Sequence, residues 1–214
     1  MTVIAMPAVG DRSVVLENAS WSLYEKLLSE VQNGGVRLTY DNGRLEIMTL
    51  SSRHEKAKTI LGRLIEAYAD AMGMEAEGYG STTFRRKPLK CGLEPDECYY
   101  VSNAGLVAGC DLDPKRDPPP DLAVEVDISN SSVPKQPIYA ALRVSEVWRY
   151  DGTKVAYLRL RGTAYVTARR SLSFPKLPAA KVNEFLALGM ASTQSAAVRA
   201  MRQWLAGESV DTSH

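Results

Sequence analysis

The sequence predicts one domain of the α/β (α+β) class, in which strands and helices share a single core. Residues 122–128 form an apolar run that is typical of a strand buried on both faces. Alternating apolar and polar residues on both sides of the turn 41–43 predict a hairpin. Apolar residues at helical spacing in 20–31 and 52–72 predict two amphipathic helices. A chain of 214 residues, 45% of them hydrophobic, is long enough for one ordinary core.

The first helix and the hairpin have clear boundaries in the sequence. The helix begins near Ser20, and the pair Gly34-Gly35 is its predicted stop. The hairpin strands are VRLTY and RLEIMT, and the residues between them, Asp41-Asn42-Gly43, readily adopt the positive φ angles of a tight turn.

The second helix and the strands after it lead to the centre of the chain. Ser52 followed by Glu55 is a capping-box pattern, and Gly73 ends the helix. Strands are then predicted at about 74–79, 81–87 and 98–101, and an irregular surface loop at 102–120.

The rest of the chain predicts further strands and two closing helices. The central apolar strand is followed by a helix that carries Lys135 and Tyr139; Tyr139 and Trp148 occupy apolar positions and are interpreted as core residues. An antiparallel meander of three strands follows, at 146–151, 154–161 and 164–170. Two C-terminal helices are predicted after it, at 182–190 and 193–206.

Composition limits the classes of function. The net charge of +1 gives no global field for nucleic acid, so binding to DNA needs a local basic patch. The three cysteines have no zinc-site spacing and predict reduced thiols in a cytoplasmic protein. The first residues lack the basic and apolar regions of a signal peptide, so none is expected, and no apolar run reaches membrane-spanning length. We predict residues 1–19 as a leader that ends in a short extended piece, and 20–214 as a single domain.

Two carboxylates interrupt the central apolar strand. Glu125 and Asp127 lie two apart, so their side chains point to the same face of a strand. Carboxylates are rarely buried unless a cation or a metal ion pairs with them. The pair therefore indicates either a divalent metal site or an exposed face of the sheet where the acids pair with surface arginines.

A third acid and a lysine extend the metal hypothesis. Asp96 precedes Glu125 by a distance that allows the two residues to lie on adjacent strands. Mg²⁺ prefers a few carboxylates plus water molecules, which Asp96 and Glu125 can supply. Lys135 can then orient an attacking water and offset charge on a phosphoryl group.

Several motifs in this order resemble one protein family. They are GRLEIM at 43–48, His54 at the start of a helix, EPDECYYV at 94–101, PDLAVEVDIS at 120–129, the Lys135-to-Tyr139 spacing, and EVWRYDG at 146–152. Together they resemble the Uma2 family of the PD-(D/E)XK restriction-endonuclease-like superfamily. The resemblance covers about residues 20–160.

The resemblance implies a restriction-endonuclease-like core at about 20–160, with a mixed central sheet flanked by helices; the strands and helices predicted at 161–206 follow this core within the same domain. It implies a nuclease site in which Asp96 and Glu125 hold Mg²⁺ or Mn²⁺. The superfamily pattern places a lysine two residues after the glutamate, where this chain has Asp127; the family arrangement moves the lysine to Lys135.

Further residues complete the expected site. Glu46 and His54 match family positions and are expected to add a ligand or a water contact; the predicted metal ligands are therefore Asp96, Glu125, Asp127 and Glu46, and the predicted catalytic residues Asp96, Glu125, Lys135 and His54.

Three functions remain open at this stage. The first is a metal-dependent endonuclease that acts on DNA as a homodimer, with a basic surface formed by Arg85, Arg86, Lys87 and Lys90. The second is a non-catalytic interaction or dimerisation module that keeps the nuclease fold. The third is a metal-dependent hydrolase of a small phosphorylated molecule, which would use the same ligands.

Overall fold

The secondary structure contains strands and helices along the whole described chain. A computed structural model describes residues 10–31, 35–128 and 133–211, with the side chains of the last helix described as far as residue 207. The strands in chain order are β1 (Arg12–Leu16), β2 (Val36–Asp41), β3 (Arg44–Thr49), β4 (Glu77–Gly78), β5 (Phe84–Arg86), β6 (Cys91–Leu93), β7 (Glu97–Tyr100), β8 (Leu122–Val126), β9 (Glu146–Tyr150), β10 (Val155–Arg161) and β11 (Ala164–Ala168). The helices are α1 (Trp21–Glu30), α2 (Ser52–Met72), α3 (Ala104–Val107), α4 (Lys135–Ala141), α5 (Ala179–Ala191) and α6 (Gln194–Asp211).

The strands form two sheets. The larger one has the order β11-β10-β9-β8-β7-β4, and its only parallel pair is β8 with β9. It is therefore a mixed sheet, which confirms the predicted fold class. The smaller sheet is antiparallel throughout, with the order β1-β3-β2-β6-β5. The sequence did not predict this division into two sheets.

The central strand β8 separates two layers of core. All five of its residues are buried, as the apolar run predicted. Leu122, Val124 and Val126 pack into a cluster with α2, α5 and α6. Ala123 points the other way, into a cluster that α4 shares with residues of the smaller sheet. Because side chains alternate along a strand, Glu125 lies on the Ala123 side, between the two sheets.

The hairpin and the end of the second helix agree with the sequence. Asn42 and Gly43 have φ angles of 47° and 94°, which are those of a tight turn between β2 and β3. Gly73 is left-handed at the end of α2, with φ 61°. The meander β9-β10-β11 is antiparallel, as predicted.

Other boundaries were wrong. The cap of α2 is Ser51, whose hydroxyl accepts a hydrogen bond from His54 N, and Ser52 is already the first helical residue. The helix α1 ends at Glu30, and Gly34 of its predicted stop lies outside the described residues. The strands expected at 74–79 and 81–87 shrink to the two residues of β4 and the three of β5.

The predicted leader is partly built into the fold. Strand β1 pairs with β3 over five residue pairs, from Arg12 with Thr49 to Leu16 with Leu45. The expected short extended piece is thus a strand of the smaller sheet, and the predicted division of the chain at residue 19 stays a prediction. Residues 1–9 of the leader lie outside the described part of the chain.

No helix within residues 10–31, 35–128 and 133–211 combines the length and the apolar character needed to cross a membrane.

Candidate metal centre

Neighbouring strands bring Asp96 and Glu125 together. Strands β7 and β8 are antiparallel with Glu97 opposite Val124, so Asp96, one residue earlier, lies opposite Glu125. The amide of Asp96 donates to the carbonyl of Val124, the residue that already pairs with Glu97, so the regular ladder ends at Glu97 and Asp96 lies directly before β7. Residues directly opposite each other on antiparallel strands present their side chains on the same face of the sheet. The two acids therefore lie close together, with Glu125 on β8 and Asp96 one residue before the neighbouring strand on which the sequence placed it, and their role as metal ligands stays a prediction.

The Asp96 carboxylate is held from two sides. Its Oδ2 accepts a hydrogen bond of 2.8 Å from the amide of Val126. His54 Nε2 lies 2.9 Å from Oδ1, and the Nε atom of Arg37 lies 3.8 Å from the same oxygen. Burial raises the pKa of Asp96, but the hydrogen bond from His54 and the charges of Lys135 and His54 outweigh it, so this pKa lies below its ordinary value.

The Glu125 carboxylate is held by one face of α4. Lys135 Nζ lies 2.5 Å from Oε2, and the Tyr139 hydroxyl donates a hydrogen bond to Oε1. Lysine and tyrosine stand four residues apart, so both project from the same side of the helix. Burial raises the pKa of Glu125 and the Asp96 charge adds to this, while Lys135 opposes it. In turn, the charges of Glu125 and Asp96 outweigh burial and raise the pKa of Lys135.

His54 lies between two carboxylates. Its Nδ1 is 2.8 Å from Oδ2 of Asp11, which directly precedes β1, and its Nε2 faces Asp96. Both the His54 and the Asp11 side chains are 1% exposed. Burial lowers the pKa of His54, but the hydrogen bonds and charges of the two carboxylates outweigh it and raise the pKa to about 9.

Glu46 approaches the same cluster from the smaller sheet. It lies on β3 opposite Thr39, and it is almost fully buried. Its negative charge contributes to the raised pKa of Lys135. The structure thus gathers Glu46, Asp96, Glu125, Lys135 and His54 into one buried polar centre between the sheets.

Comparison with known proteins assigns the chain to a family. The Uma2 family, described as "Putative restriction endonuclease", matches residues 21–190. The chain belongs to the Uma2 family. Among curated proteins, none matches the sequence. The family supports a nuclease-type function.

The position that departs from the superfamily lysine pattern has a different partner in this Uma2 chain. Asp127 follows the end of β8, and its Oδ2 accepts two hydrogen bonds from Arg149, of 2.7 Å from Nη2 and 3.1 Å from Nε. This is the arginine pairing that the sequence left open as the alternative. The role of Asp127 as a metal ligand stays a prediction.

The four predicted DNA-contacting residues lie at the edge of the smaller sheet. Arg85 is 3.8 Å from Glu25 of α1, and Arg86 donates to the carbonyl of Pro114. Lys87 begins a single 3-10 turn and Lys90 follows it, and both lysines are exposed. The two lysines of this set are thus turned towards solvent, whereas its two arginines are engaged within the chain, and a DNA-binding role for the four residues stays a prediction.

The Uma2 site fits a divalent metal ion by its donor chemistry. Folds of the restriction-endonuclease type usually use divalent metals. Within the described part of the chain, burial and the Asp96 charge raise the pKa of Glu125 despite Lys135, so an added cation would relieve the repulsion between the two acids. In the same part, no group of three or more His, Cys, Asp and Glu side chains is already arranged to hold a metal ion. Two carboxylates plus water molecules are a common donor set for Mg²⁺.

Sequence reasoning missed three residues of the centre. Tyr139 was interpreted as core; it is buried, but its hydroxyl contacts Glu125, and its spacing of four from Lys135 was the available signal. Arg37 alternates with apolar residues on β2. This pattern shows that its side chain points to the opposite face of the strand from theirs, but it does not show that the partner is Asp96. Asp11 lies 43 residues from His54, and nothing in the local pattern connects them.

Proposed function

We propose that this protein is a metal-dependent endonuclease that hydrolyses DNA phosphodiester bonds, with Mg²⁺ or Mn²⁺ held by Asp96 and Glu125. The observation that carries the proposal is that these two buried acids lie close together, Asp96 directly before β7 and Glu125 on β8, with Lys135 at 2.5 Å from Glu125. Membership of the Uma2 family supports a nuclease. A metal ion bound there would polarise the phosphoryl group and lower the pKa of a water molecule.

The protein groups around the carboxylates have separate roles. The Val126 amide fixes Oδ2 of Asp96, and so its Oδ1 faces the centre. Tyr139 fixes Oε1 of Glu125, while Lys135 lies at Oε2 and brings a positive charge to the place where a phosphate would enter. Preorganised charge of this kind stabilises developing negative charge at low cost, because the protein is already ordered before the reaction.

The other predicted site residues act at the margin of this arrangement. In the proposal Glu46 contributes negative charge and a water contact, and His54 supports Asp96. Asp127 is the weakest ligand candidate, because Arg149 already uses its Oδ2.

The proposed substrate and context follow from charge and cysteine chemistry. Lys87 and Lys90 are exposed and suit contacts to DNA phosphates, which are largely independent of base sequence. A homodimer would supply the two sites that cutting both strands requires. Cys91, Cys98 and Cys110 are free thiols, which suits the reducing cytoplasm.

The substrate must gain access to a buried site. Asp96 and Glu125 are 1% and 3% exposed, and the side chain of Lys135 is 13% exposed. A DNA phosphate can reach the carboxylates only after a movement of the chain around them. Lys135, the most exposed of the three, lies on the side from which we expect that entry.

Nicking of supercoiled plasmid tests the proposal directly. Wild type with Mg²⁺, and separately with Mn²⁺, should convert supercoiled plasmid to open circles, and Asp96→Asn should not. Glu97→Gln is the matched control, because this neighbouring carboxylate lies on the other face of β7 and should keep activity. Metal binding without nicking by wild type would contradict the DNA substrate and favour the hydrolase of a small phosphorylated molecule.

A second candidate is a non-catalytic interaction module that keeps the fold. The deep burial of the acids favours it, because Lys135 and Tyr139 already satisfy both oxygens of Glu125 without a metal. In that case wild type would bind neither metal nor plasmid, and Glu125→Gln would change stability alone.

A further inference from the structure

Asp11 is a buried carboxylate contributed by the segment before the family-matched region. Its side chain is 1% exposed, and full burial of a carboxylate is costly unless its oxygens are paired. Oδ1 accepts a 2.8 Å hydrogen bond from the amide of Ser51, and Oδ2 lies 2.8 Å from Nδ1 of His54. The Uma2 match begins only at residue 21.

The sheet fixes the position of this carboxylate. Strand β1 pairs with β3 so that Arg12 lies opposite Thr49, and Asp11 comes next, beside the chain that enters α2 at Ser51. The hydrogen bonds of a full strand therefore hold Asp11 at the start of the helix. The register of β1 on β3 places Asp11 next to His54. The contact is therefore buried and set by the sheet, unlike an ion pair between two mobile surface side chains.

The contact acts on the far side of the imidazole ring. With Nδ1 held by Asp11, the ring places Nε2 at 2.9 Å from Oδ1 of Asp96. Asp11, His54 and Asp96 thus form a continuous chain of contacts from the start of β1 to the carboxylate that precedes β7. Partners that orient metal-binding groups in this way commonly change metal affinity or activity by about 10–100-fold when they are removed.

We propose that Asp11 is a positioning residue of the metal centre: through His54 it fixes the orientation of Asp96, so that strand β1 is a functional part of the site. The proposal rests on the proposed metal-dependent function. It adds to that function a residue which lies outside the family-matched region.

The test uses Asp11→Asn in the full chain. The asparagine carbonyl can still accept from the Ser51 amide and keep the cap, while its NH₂ group replaces the acceptor that faces Nδ1. We expect the Mn²⁺ affinity measured by calorimetry to fall about 10-fold. Glu17→Gln is the matched control: Glu17 follows β1, is exposed and pairs with Arg44, so its loss should leave Mn²⁺ affinity unchanged.

A spectroscopic measurement separates positioning from simple destabilisation. The chain has two histidines, so the ring nitrogens of His54 can be followed by ¹⁵N NMR in chelator-treated protein, with His214→Gln for assignment. Asp11→Asn should shift the Nδ1 signal of His54, and Glu17→Gln should not. Unchanged ring signals would overturn the proposal, whatever the metal affinity.

A double-mutant cycle gives the decisive comparison. If Asp11 acts through His54, then Asp11→Asn should have almost no further effect on Mn²⁺ affinity in a His54→Asn background, because the effects of coupled residues do not add. Additive effects would overturn the proposal. If Asp11→Asn does not fold, Asp11→Ser takes its place, since a hydroxyl can also accept from the Ser51 amide.

Failure of the proposed function gives a different result. If wild type binds no Mn²⁺, the metal centre is refuted, but the ring signals of His54 still report whether Asp11 holds the imidazole. A shift in Asp11→Asn then supports the positioning of His54 alone, and no shift overturns it.

Discussion

At the scale of single residues, the site consists of charges that are buried together. Glu125 is 3% exposed in the middle of an apolar strand, a position that sequence reasoning selected because a buried carboxylate requires a partner. Its partners are Lys135 and Tyr139. The sequence could indicate the acid and the lysine by residue type, but not Tyr139, because the apolar ring and the polar hydroxyl of a tyrosine give the same sequence pattern as a core residue.

Removal of Lys135 should separate catalysis from metal binding. In Lys135→Met the Glu125 carboxylate remains, so Mn²⁺ binding should persist. The nicking rate should fall by about 10²–10³-fold, because one group that stabilises transition-state charge is lost. Lys154→Met, which removes an exposed lysine after β9, is the control. Equal nicking by wild type and Lys135→Met would contradict the role of this lysine.

His54 should make the stability of the metal-free protein depend on pH. Its folded-state pKa of about 9 lies above the unfolded value near 6.5, so the folded state holds the proton more tightly. The stabilisation is complete below pH 6.5 and disappears as pH rises through 9; it amounts to about 3 kcal/mol. Urea unfolding of wild type and His54→Asn across this range measures it. A difference between the two proteins that stays constant from pH 6 to pH 10 would contradict the account.

At the scale of elements, the start of α2 joins helix capping to the site. Ser51 caps the helix and donates its amide hydrogen to Asp11, and His54 follows in the first turn. The sequence predicted this helix, its start at Ser52 and its glycine stop, but it placed the cap one residue late. Ser51 and Ser52 are both serines, and only the backbone conformation decides which of them caps the helix.

The cap gives a prediction at this scale. Ser51→Ala should lower the free energy of unfolding by about 1 kcal/mol, because the amide of His54 loses its acceptor. Ser52→Ala should leave stability nearly unchanged, since alanine suits the first helical position. Thermal unfolding of the two variants side by side makes the comparison. Greater destabilisation by Ser52→Ala would show that the cap is assigned to the wrong serine.

At the scale of the whole molecule, the site exists because two sheets face each other. Asp96 and Glu125 come from the mixed sheet, whereas Glu46 and Arg37 come from the antiparallel one. Local patterns predicted the hairpin β2–β3 and the meander β9–β11, since these pairings are formed by neighbouring segments. The pairing of β2 with β6 joins segments about fifty residues apart, and no local pattern specifies it.

The basic edge of the smaller sheet should govern affinity for DNA. Replacing Lys87 and Lys90 together by glutamine should weaken binding equally for all DNA sequences. The slope of log affinity against log salt concentration should also become less steep, by about 0.9 for each phosphate that the variant no longer neutralises. Fluorescence anisotropy at several salt concentrations measures this slope. The control exchanges two exposed lysines elsewhere, Lys154 and Lys176. An unchanged slope in the Lys87 and Lys90 variant would place the DNA surface elsewhere.

The central claim is that Asp96 and Glu125 form one metal site across two strands. Calorimetric titration of Mn²⁺ into wild type, Glu125→Gln and Glu97→Gln tests it most directly. The account predicts binding at one site in wild type and in Glu97→Gln, and loss of binding in Glu125→Gln, which keeps the size of the side chain but not its charge. Mn²⁺ binding by Glu125→Gln with wild-type affinity, or no binding by wild type, would contradict it.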